Sequence, residues 1–146
     1  MPSGPGIQPA FSAEKTGTNQ TVNPSTETKV TYEAERFDTN NDFDLANNRF
    51  TPTVPGKYYL TTAMIWLSTD DEAALQVIFF RNGLVFKEHF IRASGTASQG
   101  LTYSALIDAN GSTDFFEVFV QHNAATSKQI SGNPAHTWFM AQRVGP

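Results

Sequence analysis

Lys57-Tyr58-Tyr59-Leu60-Thr61-Thr62-Ala63-Met64-Ile65-Trp66-Leu67 carries a single charge and neither Gly nor Pro. Its aromatic and β-branched residues suit a pleated strand, on which successive side chains point to opposite faces. One face then holds Tyr58, Leu60, Thr62, Met64 and Trp66, and the other Tyr59, Thr61, Ala63, Ile65 and Leu67. Both are largely apolar, whereas a sandwich strand normally buries one face and wets the other. The second face needs a cover, either a loop or another subunit. We favour the subunit, which makes Tyr59, Ala63, Ile65 and Leu67 the candidate interface residues.

The same period of two recurs on both sides of this run. Strands are predicted at Ala10 to Lys15, Lys29 to Tyr32, Arg49 to Thr53, Lys57 to Leu67, Ala74 to Arg81, Leu84 to Ile91, Leu101 to Ile107, Phe115 to Gln121 and Thr137 to Arg143. No segment shows a helical period, so the chain reads as an all-β sandwich. Asn82-Gly83, between two runs, is a hairpin signal because a type I′ turn needs positive φ at both central residues. Asp108-Ala109-Asn110-Gly111 marks a second tight loop. In Phe115 to Gln121, Phe116, Val118 and Val120 form the inward set. That turns Phe115 and Phe119 outward and makes them the candidate ligand-binding aromatics.

A length of 146 residues fits one domain. Residues 1–10, with Gly4-Pro5-Gly6 and Pro9, read as an extended lead-in or linker remnant, and 11–146 as the folded unit. Gly4 and Gly6 stand two apart, which breaks the three-residue period of a collagen stalk. Twelve Phe outnumber the ten Lys and Arg together, so the chain can build an aromatic core beneath a surface low in charge. A net charge of −4 supplies no basic patch for nucleic acid or an anionic membrane surface. No apolar run approaches the length of a membrane span, and Met1-Pro2-Ser3-Gly4 does not open a signal peptide. We therefore expect neither nucleic-acid partners nor membrane insertion.

Chemistry-bearing patterns are sparse. Absence of Cys removes thiolate nucleophiles and zinc ribbons. His89, His122 and His136 lack the close spacing that converges on a metal in cupin-type jelly rolls, and no Gly-x-Ser-x-Gly elbow is present. Asp38 to Asp44 places oxygen donors at alternate positions like a calcium loop, but Phe43 stands where Gly is needed and Arg49 where a bidentate Glu is needed. Asp70-Asp71-Glu72 reads as a solvated loop. Trp66, Trp138, Tyr58, Tyr59 and Tyr103 lie inside predicted strands and read as core or interface packing. We expect no enzyme activity and no resident cofactor.

Phe43-Asp44-Leu45-Ala46-Asn47-Asn48-Arg49-Phe50-Thr51-Pro52-Thr53-Val54-Pro55-Gly56-Lys57-Tyr58-Tyr59 resembles a pattern of the complement C1q and tumour necrosis factor (TNF) superfamily: aromatic-Asp, a short turn, Phe-Thr, Pro-Gly and paired aromatics. Arg81-Asn82-Gly83, Gly111 with Asp114 to Val118, and Thr137-Trp138-Phe139 follow in that family's order. The closing strand departs from the Phe-Ser-Gly-Phe of complement heads, and the chain lacks their Cys, so the likeness is nearer to the bacterial and bacteriophage branch.

The resemblance implies a ten-stranded jelly roll assembling as a homotrimer, with one sheet of each subunit lining the three-fold interface. Tyr59, Ala63, Ile65 and Leu67 would lie in that trimer interface. The implied role is a non-enzymatic head that caps a fibre or stalk, at the cell exterior or a virion surface, and presents loops to a cell-surface receptor or glycan. Some heads of this family bind calcium near the three-fold axis. The loop Arg92 to Gly100, before the Leu101 to Ile107 strand, holds no carboxylate for it, so calcium is not carried over. The competing reading is a monomeric carbohydrate-binding β-sandwich.

Overall fold

The computed structural model describes residues 8–146, so Gly4-Pro5-Gly6 and most of the expected lead-in lie outside the described residues. Its extended segments are β1 (Ala10–Glu14), β2 (Gln20–Val22), β3 (Thr28–Lys29), β4 (Ala34–Asp38), β5 (Phe43–Asp44), β6 (Arg49–Phe50) and β7 (Gly56–Leu67), then β8 (Ala74–Arg81), β9 (Leu84–Arg92), β10 (Gln99–Ala109), β11 (Phe116–His122), β12 (Lys128–Ile130) and β13 (Trp138–Gly145). Ala10, the last residue of the lead-in and the first of the predicted Ala10 to Lys15 strand, pairs with Gln142.

Two antiparallel sheets face each other. The seven-stranded sheet runs β2-β12-β7-β13-β1-β4, with β10 along the other edge of β7. The six-stranded sheet runs β5-β6-β11-β8-β9, with β3 also on β11. Thirteen segments replace the expected ten strands because β2, β3, β5, β6 and β12 are fragments of two or three residues. Fragments β3 and β6 overlap the predicted Lys29 to Tyr32 and Arg49 to Thr53 strands but are shorter, whereas β2, β5 and β12, like the polar run of β4, bury too few side chains to show a period in the sequence.

Strand β7 holds the seven-stranded sheet together. Its full length pairs with β10, from Gly56 opposite Ala109 to Trp66 opposite Gln99. On its other edge, β13 pairs with its first half and β12 with its end. Tyr58, Leu60, Met64 and Trp66 are buried, as alternation predicts for the core face. From the opposite sheet come Leu75, Val77 and Phe79 of β8 and Phe116, Val118 and Val120 of β11, all fully buried. Phe11 joins the layers: its ring stacks on Phe43 at 4.7 Å and meets Phe139 edge-on at 5.0 Å.

The hairpin between β8 and β9 turns on Asn82 (φ 54°) and Gly83 (φ 82°), the type I′ signature read from the sequence. The second loop begins two residues later than expected. Asp108 and Ala109 remain paired with Lys57 and Gly56, and Asn110 opens the turn. Its Oδ1 accepts the N–H groups of Ser112, Thr113 and Asp114, and its Nδ2 donates to the Thr113 hydroxyl.

Candidate functional site

The outward face of the seven-stranded sheet is built from the β7 register. Tyr59 lies between Gln142 of β13 and Leu106 of β10, Thr61 between Met140 and Ser104, and Ala63 between Trp138 and Thr102. Beyond β13, Ser12 of β1 sits opposite Met140 and Phe37 of β4 opposite Ser12. An apolar band therefore crosses the sheet. Leu106 is 62% exposed, Phe37 49% and Tyr59 43%. Ile65 and Leu67 are half-buried, while Ala63 is small enough to be covered by its neighbours. A shallow groove of about 230 Å³ follows the band past Phe37, Tyr59, Thr61 and Met140.

The four predicted interface residues thus share one face with Leu106, Phe37, Trp138 and Met140, which sequence reading did not assign to it. Leu106 alternates with polar Ser104 and Asp108, so only its register against Tyr59 reveals its place.

The predicted ligand aromatics lie on the outward face of the six-stranded sheet, already engaged within the chain. The Arg49 guanidinium sits 4.0 Å above the Phe115 ring. Phe119 stacks on Phe80 with centroids 3.9 Å apart. Between them Glu117, nearly buried, accepts from Lys29 Nζ at 2.9 Å and from Arg49 at 3.4 Å. This cluster gathers two cations and one carboxylate under aromatic cover.

The acidic motifs are spent on turns. The Asp38 carboxylate accepts the N–H groups of Asp42 and Phe43. Asp44 accepts from the Asn47 side chain and the N–H groups of Ala46 and Asn47, which hold its carboxyl below the usual carboxylate range. Asp70 is held low by Lys128 Nζ at 2.6 Å and by the Ala125 N–H. Asp71 accepts the Gly95 N–H. Among the described residues no three His, Asp or Glu side chains converge as metal ligands.

The histidines are separated. His122 is buried: its Nδ1 accepts the Ala124 N–H and its Nε2 donates to the Val22 carbonyl, while Trp66 meets the ring edge-on. His136 bonds Ser131 Oγ at 2.9 Å. His89 stacks on Tyr103 at 5.9 Å. Lys15, the one fully buried lysine, stands at the end of the first predicted strand. Its ammonium donates to the Thr31 carbonyl at 2.6 Å and to Gln20 Oε1 at 3.0 Å, and burial lowers its pKa against the opposing pull of Glu33.

Similar solved structures agree with this layer order. Murine APRIL superposes with a TM-score of 0.71 at 12% identity, over 94% of this chain and 100% of the other. The globular domain of zebrafish complement 1qA gives 0.62 at 17% identity, over 90% and 94%. Eiger TNF from S. frugiperda gives 0.68 at 10%, over 95% and 92%. The chain has the TNF/C1q jelly-roll fold. No family model matches the sequence. No curated protein matches it either. At these identities the TNF/C1q likeness concerns the fold, so the role of the apolar face has to be argued from its own residues.

Proposed function

We propose that the chain is a non-enzymatic homotrimeric head whose subunits meet through the outward face of the seven-stranded sheet. The observation that carries this is the apolar set of Phe37, Met140, Trp138, Tyr59, Ile65 and Leu106 gathered on one sheet face across β4, β1, β13, β7 and β10, with only the small polar Ser12, Thr61, Thr102 and Ser104 between them. Scattered exposed apolar residues are ordinary on a monomer, but a set gathered on one sheet face marks an interaction surface. Tyr59, Ala63, Ile65 and Leu67 lie within it, and the Thr61 hydroxyl among them is already met by the Ser104 hydroxyl at 2.9 Å.

On this reading the six-stranded sheet and the loops remain outward and meet the partner, a cell-surface receptor or glycan at the exterior of a cell or virion. The TNF, complement and APRIL names of the similar structures support recognition rather than chemistry as the role. Phe115 and Phe119 stay candidate contacts there, through the rims that Arg49 and Phe80 leave open.

Sedimentation equilibrium tests the assembly. A mass three times the 16.1 kDa chain is expected. A single-chain mass across the concentration range would overturn the trimer and bring forward the monomeric carbohydrate-binding sandwich.

A further inference from the structure

We propose that a cleft on the outward face of the six-stranded sheet binds one ring of a neutral saccharide. Strand register builds it. Phe90 of β9, Gln76 of β8 and Gln121 of β11 form a single row across three adjacent strands. In the next row Ala74 pairs with Arg92, and on its other side it exchanges hydrogen bonds with Asn123: its N–H donates to Asn123 Oδ1 at 2.7 Å and its carbonyl accepts the Asn123 N–H at 3.3 Å. The Ala74 methyl is the small floor between these walls, and the cleft holds about 280 Å³. That is at the small end of ligand-site volumes, about 300–1,000 Å³ for drug-sized molecules, and suits a single sugar ring.

The lining matches a sugar's two kinds of surface. Phe90 is 54% exposed and offers an apolar ring to the C–H face of a pyranose. The amides supply hydroxyl partners, and two are pinned at one end. Gln76 Nε2 donates to Glu88 at 2.8 Å, which leaves its Oε1 for a ligand hydroxyl. Asn123 Oδ1 is taken by Ala74, which leaves its Nδ2 to donate. Gln121 lines the cleft between them. Arg92 is steadied by a bond from one guanidinium nitrogen to the Glu72 carbonyl at 3.1 Å. The Gln76 and Asn123 amides, held by these bonds, lose little freedom on binding, which favours a weak polar ligand.

Local charge is balanced. Arg92 lines the cleft and Glu88, bonded to Gln76, stands at its edge, while Asp70 is paired with Lys128. No net field draws an acidic ring in preference to a neutral one, so the amides and Phe90 decide the ligand.

The inference rests on the trimeric-head reading only in needing this sheet to stay outward. The test is a titration of the full chain, followed through its backbone amide resonances, with the methyl glycosides of glucose, galactose and N-acetylglucosamine, and separately with sialyllactose. The amides of Ala74, Gln121 and Asn123 should shift with at least one neutral glycoside, and Phe90→Ala or Gln121→Ala should weaken that binding at least about tenfold. No shift with any neutral glycoside, shifts with sialyllactose alone, or unchanged affinity in both variants overturns the proposal. So does a Phe90→Ala chain that sediments as single subunits, because Phe90 would then belong to the subunit contact. Failure of the trimeric head shows instead in the mass of the unaltered protein, and leaves the titration readable.

Discussion

Tyr32 takes a hydroxyl into the aromatic core, beside Phe43 and Phe139, where no partner meets it among the described residues. Burial raises its pKa far above the usual phenol value against the opposing pull of the nearby Thr62 hydroxyl, which lies outside good hydrogen-bond geometry. Removing the oxygen removes a desolvation cost without opening a cavity. Tyr32→Phe should therefore stabilise the fold by about 1 kcal/mol, read as a higher denaturant midpoint at an unchanged slope. Asp114 shows the opposite balance. Its carboxylate accepts from Asn82 Nδ2, the Asn110 N–H and Arg81, and these hold its pKa below the ordinary value. A depressed folded pKa adds stability that is complete above the unfolded value of about 3.9 and is lost as pH falls through the folded one. Thermal melts between neutral and strongly acidic pH should show that loss, and Asp114→Asn should flatten its share of the slope while lowering stability by about 2 kcal/mol at neutral pH.

The two Asn-Gly turns look alike in sequence but differ in what surrounds them. Gly83 caps the β8–β9 hairpin at φ 82° with open space around it, whereas Gly111, at φ 73°, lies against the Val54-Pro55 backbone. A β-carbon at Gly111 would come 2.6 Å from Pro55 Cδ and 2.8 Å from the Val54 carbonyl carbon. Gly83→Ala meets backbone strain alone, about 1 kcal/mol. Gly111→Ala adds a collision with backbone that cannot swing aside, so we expect a loss of about 3 kcal/mol or more. Parallel urea titrations of the two variants check the ranking, and equal losses would refute the close approach. The same contrast shows what sequence reading can reach. The hairpin was legible because φ is a local demand of Asn82 and Gly83. Strands β7, β8 and β11 were legible because each is a long run rich in aromatic and β-branched residues. Strand β4 was not, since Ala34-Glu35-Arg36-Phe37-Asp38 gains its place by pairing with β1 across a bulge at Ser12/Ala13. The outward face of β7 was legible as apolar, while its neighbours Leu106 and Phe37 depend on long-range register, which no local pattern encodes.

At the scale of the whole molecule, the apolar band and stability are one question. A subunit that leaves Leu106, Tyr59 and Phe37 in water gains from association what it cannot gain by folding alone. On the trimer reading, the melting temperature should rise with protein concentration, because mass action favours the assembled state. Ile65→Asp and Ala63→Asp place a carboxylate at the centre of the band, where desolvation without a cation opposes assembly by several kcal/mol. Sedimentation of either variant should give the 16.1 kDa single-chain mass, with a melting temperature that is lower and no longer depends on concentration. Leu106→Ser, at the edge of the band beside polar Ser104, should weaken the trimer without abolishing it, so the two classes of variant grade the surface from centre to rim. Wild-type mass in both Asp variants would remove the interface from this face, since neither carboxylate could be tolerated in a desolvated contact. The six-stranded sheet would then be the surface left to argue for, and its Arg49-Glu117-Lys29 cluster, charged and already paired, is poorly suited to a dry subunit contact.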